Sequence, residues 1–278
     1  MDSAPGPEKA RLVAILTDFG LSDAYVGEMK GVLAALAPSS RVVDLTHGIT
    51  PGAVREGAWV LAKSLPFFPP GSVYLAVVDP GVGGQRSGLA AAAGGRLFVG
   101  PDNGLLAPAL AAAAGEGERP EVRSLDLREI DRPRRGSTFD GRDVFAPAAA
   151  RLAAGLPLGE VGPELEGWES LTPFRPVPRE DGWDLEIVRV DRFGNLVTVA
   201  EEAFLREELG EEWRSARVRV VGREVDGIRL AYEDVEPGQP LLTIGSAGTL
   251  ELSLNRGSAA HELGLAAGTS VRLLRAAG

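Results

Sequence analysis

Between residues 11 and 79 the chain alternates short apolar runs with stretches of helical spacing, and few folds accept that order. "RLVAIL" (11–16) reads as a buried strand ending in the turn "TDFG". "DAYVGEMKGVLAALAP" follows with apolar residues at helical intervals and stops at Pro38. "RVVDLT" (41–46) is a second strand, and "PGAVREGAWVLAKSLPFF" a second helix, opened by Thr50 with Pro51 in its first turn. "SVYLAVVD" (72–79) is a third strand. A β-α-β-α-β series of this kind predicts a mainly parallel sheet with right-handed crossovers. Short strands at "GLAAAA" and "RLFVG", a helix from "NGLLAPALAAAA" and another over residues 142–155 extend it into an α/β N-terminal domain spanning 11–166.

Residues 167–182, "GWESLTPFRPVPREDG", carry no periodicity and read as a linker. Beyond them the texture changes. "WDLEIVRVD", "NLVTV", "ARVRVVG", "IRLAYEDV", "PLLTIG", "GTLELSLN" and "TSVRLLR" alternate apolar and polar residues at period two. The expectation for 183–278 is a smaller antiparallel β domain with one or two short helices.

Composition narrows the function more than the fold. A net charge of −10 argues against a nucleic-acid partner. With no cysteine and only His47 and His261, thiolate chemistry is excluded and a multi-histidine metal site disfavoured. "MDSAPGPEKA" has no apolar core of a signal peptide and reads as a disordered tail over 1–10. No apolar run approaches a membrane span, so a cytoplasmic protein is expected.

Ligands in open α/β sheets sit beyond the carboxyl ends of the strands, where Asp18, Asp44 and Asp79 fall. Each could simply cap a turn. "DPGVGGQR" (79–86) lacks the spacing of a phosphate loop, but its Gly-rich turn lets Asp79 and Arg86 meet, as a salt bridge or as a pair that polarises a water. "TDFGLSDAY" sets Asp18 and Asp23 five residues apart. A carboxylate there can accept both hydroxyls of a ribose diol, whereas Ser22 or Asp23 could equally cap the next helix. "DRFGNLVTV" is a hairpin signal whose Asn195 could meet a purine edge. "STFDGRDVF" (137–145) packs Asp140, Arg142 and Asp143 at the mouth of a helix. His47 reads as a local turn residue and His261 as a surface one.

The ordered set "LTDFG", "VVDLTHGITP", "FFPPGSVYLAVVDPGVG", "VGPDNGLL", "TFDGRDVFAPAAA", "VDRFGN" and "IGSAG" with "LELSLN" resembles the S-adenosyl-L-methionine hydroxide adenosyltransferase family, relatives of fluorinase and chlorinase. The resemblance runs from about residue 12 to the C-terminus. It implies water or hydroxide attack on the ribose C5′ of S-adenosylmethionine, giving adenosine and L-methionine. No metal or organic cofactor is implied, because the sulfonium is itself the leaving group. It further implies a homotrimer, with each site between the N-terminal domain of one subunit and the C-terminal domain of the next.

By the same resemblance Asp18 is the ribose-diol acceptor, and Asp23 and Asp191 stand near the methionine ammonium. Asn195, Tyr232, Ser246 and Glu251 surround the adenine and the methionine carboxylate. Asp79 and Arg86 are two members of a water-activating Asp-Arg-His triad, and Asp140 occupies the place of the histidine. An imidazole both donates and accepts near neutrality, whereas a carboxylate only accepts. Two carboxylates near one water repel unless Arg86 lies between them or one is protonated; if Asp140 points away, Asp79 and Arg86 alone hold the water. The halogenase branch carries a hydroxyl where this chain has Gly141, and small or polar groups at the places of Asp79 and Val82, so halogenation is not expected. The competing reading is an adenosyl-binding protein that lost efficient turnover with the histidine. A dinucleotide-binding oxidoreductase fails for want of the glycine fingerprint.

Overall fold

The computed structural model describes residues 11–126 and 136–275, so the N-terminal 1–10 segment read above as a tail lies outside the described residues. The chain divides into two compact units, Met1–Thr172 and Pro173–Gly278.

In the first unit β1 (Leu12–Thr17), β2 (Arg41–Thr46), β3 (Val73–Val77), β4 (Gly88–Ala93), β5 (Arg96–Pro101) and β6 (Glu121–Ser124) form one sheet in the order β2-β1-β3-β5-β4-β6. The pairs β1–β2, β1–β3 and β3–β5 are parallel, while β4 runs antiparallel to both β5 and β6. The continuous apolar runs of β1 and β3 are buried, as parallel strands covered on both faces require. Helices α1 (Tyr25–Leu36), α2 (Val54–Ser64), α3 (Ala107–Ala114) and α4 (Ala146–Ala153) connect and cover the sheet. Met29 and Leu33 of α1 pack with Phe145, Ala149 and Leu152 over Ile15, Leu75 and Val99.

Two departures from the sequence reading matter for the site. Helix α2 starts at Val54, not at Thr50. Ala53 N donates to Thr50 O and Gly52 has φ +74°, so Thr50–Ala53 is a Pro-Gly turn of the type II pattern ahead of the helix. The predicted 142–155 helix opens instead with a π-helical turn, Gly141–Phe145, in which Ala146 N reaches back to Gly141 O. Pro147 has no N–H with which to continue a regular ladder to Asp143, so the turn can widen there.

The second unit holds β7 (Val177–Arg179), β8 (Gly182–Val190), β9 (Leu196–Glu201), β10 (Arg217–Val220), β11 (Arg223–Asp226), β12 (Ile228–Arg229), β13 (Pro240–Ile244), β14 (Thr249–Leu254) and β15 (Ser270–Leu274), with α5 (Glu202–Leu209) and α6 (Ala259–Leu263). The strand order is β11-β10-β15-β8-β9-β14-β13-β12, with β7 on β8. All pairs are antiparallel except β12–β13. Residues 177–179, inside the stretch read as linker, pair with β8. The strand expected over "IRLAYEDV" ends after Arg229, because the Asp234 carboxylate takes the N–H groups of Leu230 and Ala231, both at 3.1 Å, and bends the chain. This turn carries Tyr232.

Among the described residues no helix is long and apolar enough to cross a membrane. Leu75, fully buried at the centre of β3, tests the core: Leu75→Ala should cost about 3 kcal/mol in chemical denaturation. A loss under about 1 kcal/mol would show that the first unit does not depend on that strand.

Candidate active site

Three segments meet in the first unit. Asp79 follows β3, Arg86 precedes β4, and Asp140 precedes the π-helical turn. Arg86 Nε donates to both oxygens of Asp79 at 3.0 Å, and its Nη2 donates to Asp79 Oδ2 as well. The same Nη2 donates to Asp140 Oδ2 at 2.7 Å. One guanidinium therefore lies between the two carboxylates, and their side chains are only 4% and 5% exposed. The bidentate fork suits Arg rather than Lys. Burial by itself would lower the pKa of Arg86; the hydrogen bonds to Asp79 and Asp140 outweigh it and raise the value. The Phe145 ring lies beneath the guanidinium, 5.1 Å from its centre.

Local chemistry explains how the segments approach. Gly83 has φ +78°, and a Cβ there would stand 2.5 Å from Ser137 O. Only a glycine lets the 79–86 loop lie against the 137–140 stretch. Arg142 and Asp143 take no part in the bridge. They pair with each other at 2.8 Å, Arg142 reaches Glu28 on α1 at 2.7 Å, and the guanidinium covers Phe139. They form an ion pair at the helix start that ties it to α1.

Beside the bridge lies a cavity of 280 Å³ lined by Asp79, Asp140, Val82, Phe19, Tyr25 and Phe139, among others. The three rings meet edge to face with centroids 5.1–6.0 Å apart. The sequence signal for this wall is large aromatic side chains in a turn, at a helix start and ahead of a helix, among small and polar neighbours. A Cβ on Gly141 would touch Phe139, Met29 and Phe19 at 3.2–3.3 Å, so a larger residue would press on that wall.

Asp18 accepts Gly52 N at 2.7 Å, at the Pro-Gly turn. Asp23 is exposed. The capping role considered for Ser22 or Asp23 is not realised: Ala24 occupies the N-cap of α1 with no side-chain cap.

The second unit gathers its own set. Asp191 Oδ1 accepts Phe193 N and Asn195 N, at 2.8 and 2.9 Å, and its Oδ2 accepts Asn195 Nδ2 at 2.9 Å. Asn195 Nδ2 also lies 3.4 Å from Tyr232 Oη. Both N–H groups of the amide are thereby spent, and the carbonyl oxygen is what Asn195 has to offer a purine edge. Glu251 on β14 lies against Gly245, where a Cβ would fall 1.7 Å from Oε1. Its pKa is pushed up to about 7, by burial first and by Asp191 second. Burial, then Glu251 and Asp191, also raise that of Tyr232. Ser246 is exposed on the turn that Gly245 and Gly248 close. Phe193, Asn195, Tyr232, Leu254, Arg256 and Gly257 line a concavity of 560 Å³.

A mainly parallel α/β unit with a buried Asp-Arg-Asp bridge beyond its strand ends, followed by a mainly antiparallel unit with its own acidic recess, places the chain among two-domain α/β enzymes without a dinucleotide fingerprint. Residues 13–162 match the SAM hydroxide adenosyltransferase N-terminal domain, and residues 185–272 match the C-terminal domain. The chain belongs to the SAM hydroxide adenosyltransferase family, whose chemistry is hydrolysis of S-adenosylmethionine to adenosine and methionine.

The chain is 44% identical to an (R)-S-adenosyl-L-methionine hydrolase of Thermus thermophilus, over 95% of this chain and 100% of that one. The corresponding hydrolase of Salinispora tropica is 43% identical over 94% and 97%. A fluorinase of Actinopolyspora mzabensis is 30% identical over 95% and 97%. The crystal structure of an uncharacterized conserved protein from Thermotoga maritima superimposes with a TM-score of 0.84 at 35% identity, covering 95% of this chain and 100% of that one. The family assignment carries the hydrolysis and disfavours the reading of an adenosyl-binding protein that lost turnover.

Glu251 supplies a pH test. Its pKa of about 7 in the folded state lies above the ordinary 4.5, so ionising it opposes folding. The penalty is absent below about pH 4.5, grows up to about pH 7 and is complete above it. Glu251→Gln should match the parent at pH 4.5 and exceed its stability at pH 8, by up to about 3 kcal/mol. Equal melting at both pH values would place Glu251 in a more polar setting than this.

Proposed function

We propose that this chain hydrolyses S-adenosyl-L-methionine, in the (R)-sulfonium form named for its hydrolase relatives, with Asp79, Arg86 and Asp140 handling the attacking water. The observation that carries the reading is the single guanidinium bridging two buried carboxylates beside an aromatic-walled cavity. Arg86 fixes both carboxylates, and a water in the cavity donates to one of their oxygens. As the water oxygen bonds to C5′, the C5′–S bond breaks and its electron pair leaves with sulfur, giving neutral methionine. The water's proton passes to the carboxylate and then to solvent. Displacement at a sulfonium asks more for positioning than for a strong base.

The bridge carries one net negative charge with both carboxylates ionised. That charge favours a cationic substrate and opposes an anionic nucleophile, so water is used and a halide is rejected. Asp18 holds the ribose diol and Asp23 the methionine ammonium. Asp191, its oxygens engaged in its own turn, acts there through its charge. Asn195, Tyr232, Ser246 and Glu251 receive the adenine and the methionine carboxylate. The assembly proposed, on the family resemblance, is a cytoplasmic homotrimer in which the second unit of a neighbouring subunit completes each site. Light scattering should return three times the 29.1 kDa chain mass; a monomer active at the same specific rate would remove the trimer from the proposal.

Purified protein incubated with each sulfonium epimer should release adenosine and methionine, faster from the (R) form, as followed by chromatography. Asp79→Ala should lower kcat by about 10²-fold or more while adenosine binding by calorimetry changes little. Undiminished turnover would remove Asp79 from the mechanism. Asp140→His should keep or raise the rate. A large loss would show that the water site is built specifically around a carboxylate at position 140.

A further inference from the structure

His47 is 6% exposed and the catalytic scheme does not use it, yet it joins both loops that surround Asp18. Its Nδ1 is 2.8 Å from Thr17 Oγ1. Its Nε2 stands 3.1 Å from Asp44 Oδ1, close enough for a charge contact though not aligned as a hydrogen bond. Asp44 Oδ2 in turn accepts Lys30 Nζ of α1 at 2.7 Å.

The directions of these contacts are mutually consistent. With Asp44 facing Nε2, the ring carries its proton there, and Nδ1 accepts from the Thr17 hydroxyl. Thr17 Oγ1 still has a lone pair for Phe19 N, which lies 3.3 Å away. The His47 carbonyl also accepts Gly20 N at 2.8 Å. Residues 17, 19 and 20 are thus tied to His47 on both sides of Asp18, while Gly52, five residues beyond His47, donates to the Asp18 carboxylate. Burial works against ionisation of Asp44, but the contacts with Lys30 and His47 outweigh it and hold its pKa below the ordinary value.

We propose that His47 is a positioning residue: through Thr17 it locks the 17–20 loop against the 47–52 loop and so holds Asp18 in place for the ribose diol. This rests on Asp18 being the diol acceptor, as proposed above. Loss of the lock frees the loop to move and removes the part of the binding that depends on the two hydroxyls, leaving ring and sulfonium contacts as they were.

The test compares adenosine with 2′,3′-dideoxyadenosine by calorimetry. The parent protein should prefer adenosine by about tenfold or more. Thr17→Val, close to isosteric, should bring that preference towards unity by weakening adenosine alone, and Thr17→Ser should restore it. His47→Phe, which keeps the ring volume without either nitrogen, should behave like Thr17→Val. Variants that keep the full preference, or that weaken both ligands equally as a merely structural residue would, overturn the proposal. A parent protein without any preference would instead overturn the diol role of Asp18, and the positioning role with it.

Discussion

Arg86 holds two buried carboxylates with one guanidinium, and the chain path at the mouth of the parallel sheet follows from that requirement. Without the cation, Asp79 and Asp140 would be two like charges sharing a site that water barely reaches, an arrangement that costs several kcal/mol. With it, the 79–86 loop and the 137–140 stretch, remote in sequence, are fastened at their polar ends while Phe145 lies beneath the guanidinium on the apolar side. Glycine at position 83 is the steric condition for this meeting, since any side chain there would strike the Ser137 carbonyl.

In the proposed mechanism the same bridge also selects the nucleophile. Its formal net negative charge attracts a cationic sulfonium and disfavours a halide drawn from solution. The second unit repeats the acidic theme by other means. There Glu251 is buried against Gly245 and near Asp191, and burial first and that charge second push its pKa up to about 7.

Much of the fold was legible in the sequence because periodicity is a local property. The apolar runs of β1, β2 and β3 and the alternating strands of the second unit lie close to where their patterns placed them. The failures came where a tertiary or side-chain interaction overrode a local signal. Thr50 and Pro51 resemble a helix start, but Gly52 is held in a turn whose N–H serves Asp18. "IRLAYEDV" alternates like a strand, but the Asp234 carboxylate captures two backbone N–H groups and bends it, which brings Tyr232 to Asn195. Ser22 and Asp23 look like helix caps, and neither is one. The aromatic wall of Phe19, Tyr25 and Phe139 was not assembled from the sequence because Phe139 lies more than a hundred residues from the loop and helix start that carry Phe19 and Tyr25.

By itself, the sequence determined the two-part architecture, the acidic character, the absence of thiol chemistry and, through seven motifs in order, the family. Those are properties of composition, period and succession, which need no third dimension. Only the tertiary structure decided that Arg86 stands between Asp79 and Asp140 instead of leaving Asp140 turned away. Whether two carboxylates repel or cooperate depends on where a third charge sits, to within an ångström, and that is set by the meeting of loops across the sheet. The same holds for His47, a turn residue in the sequence, which in the fold joins the two loops around Asp18.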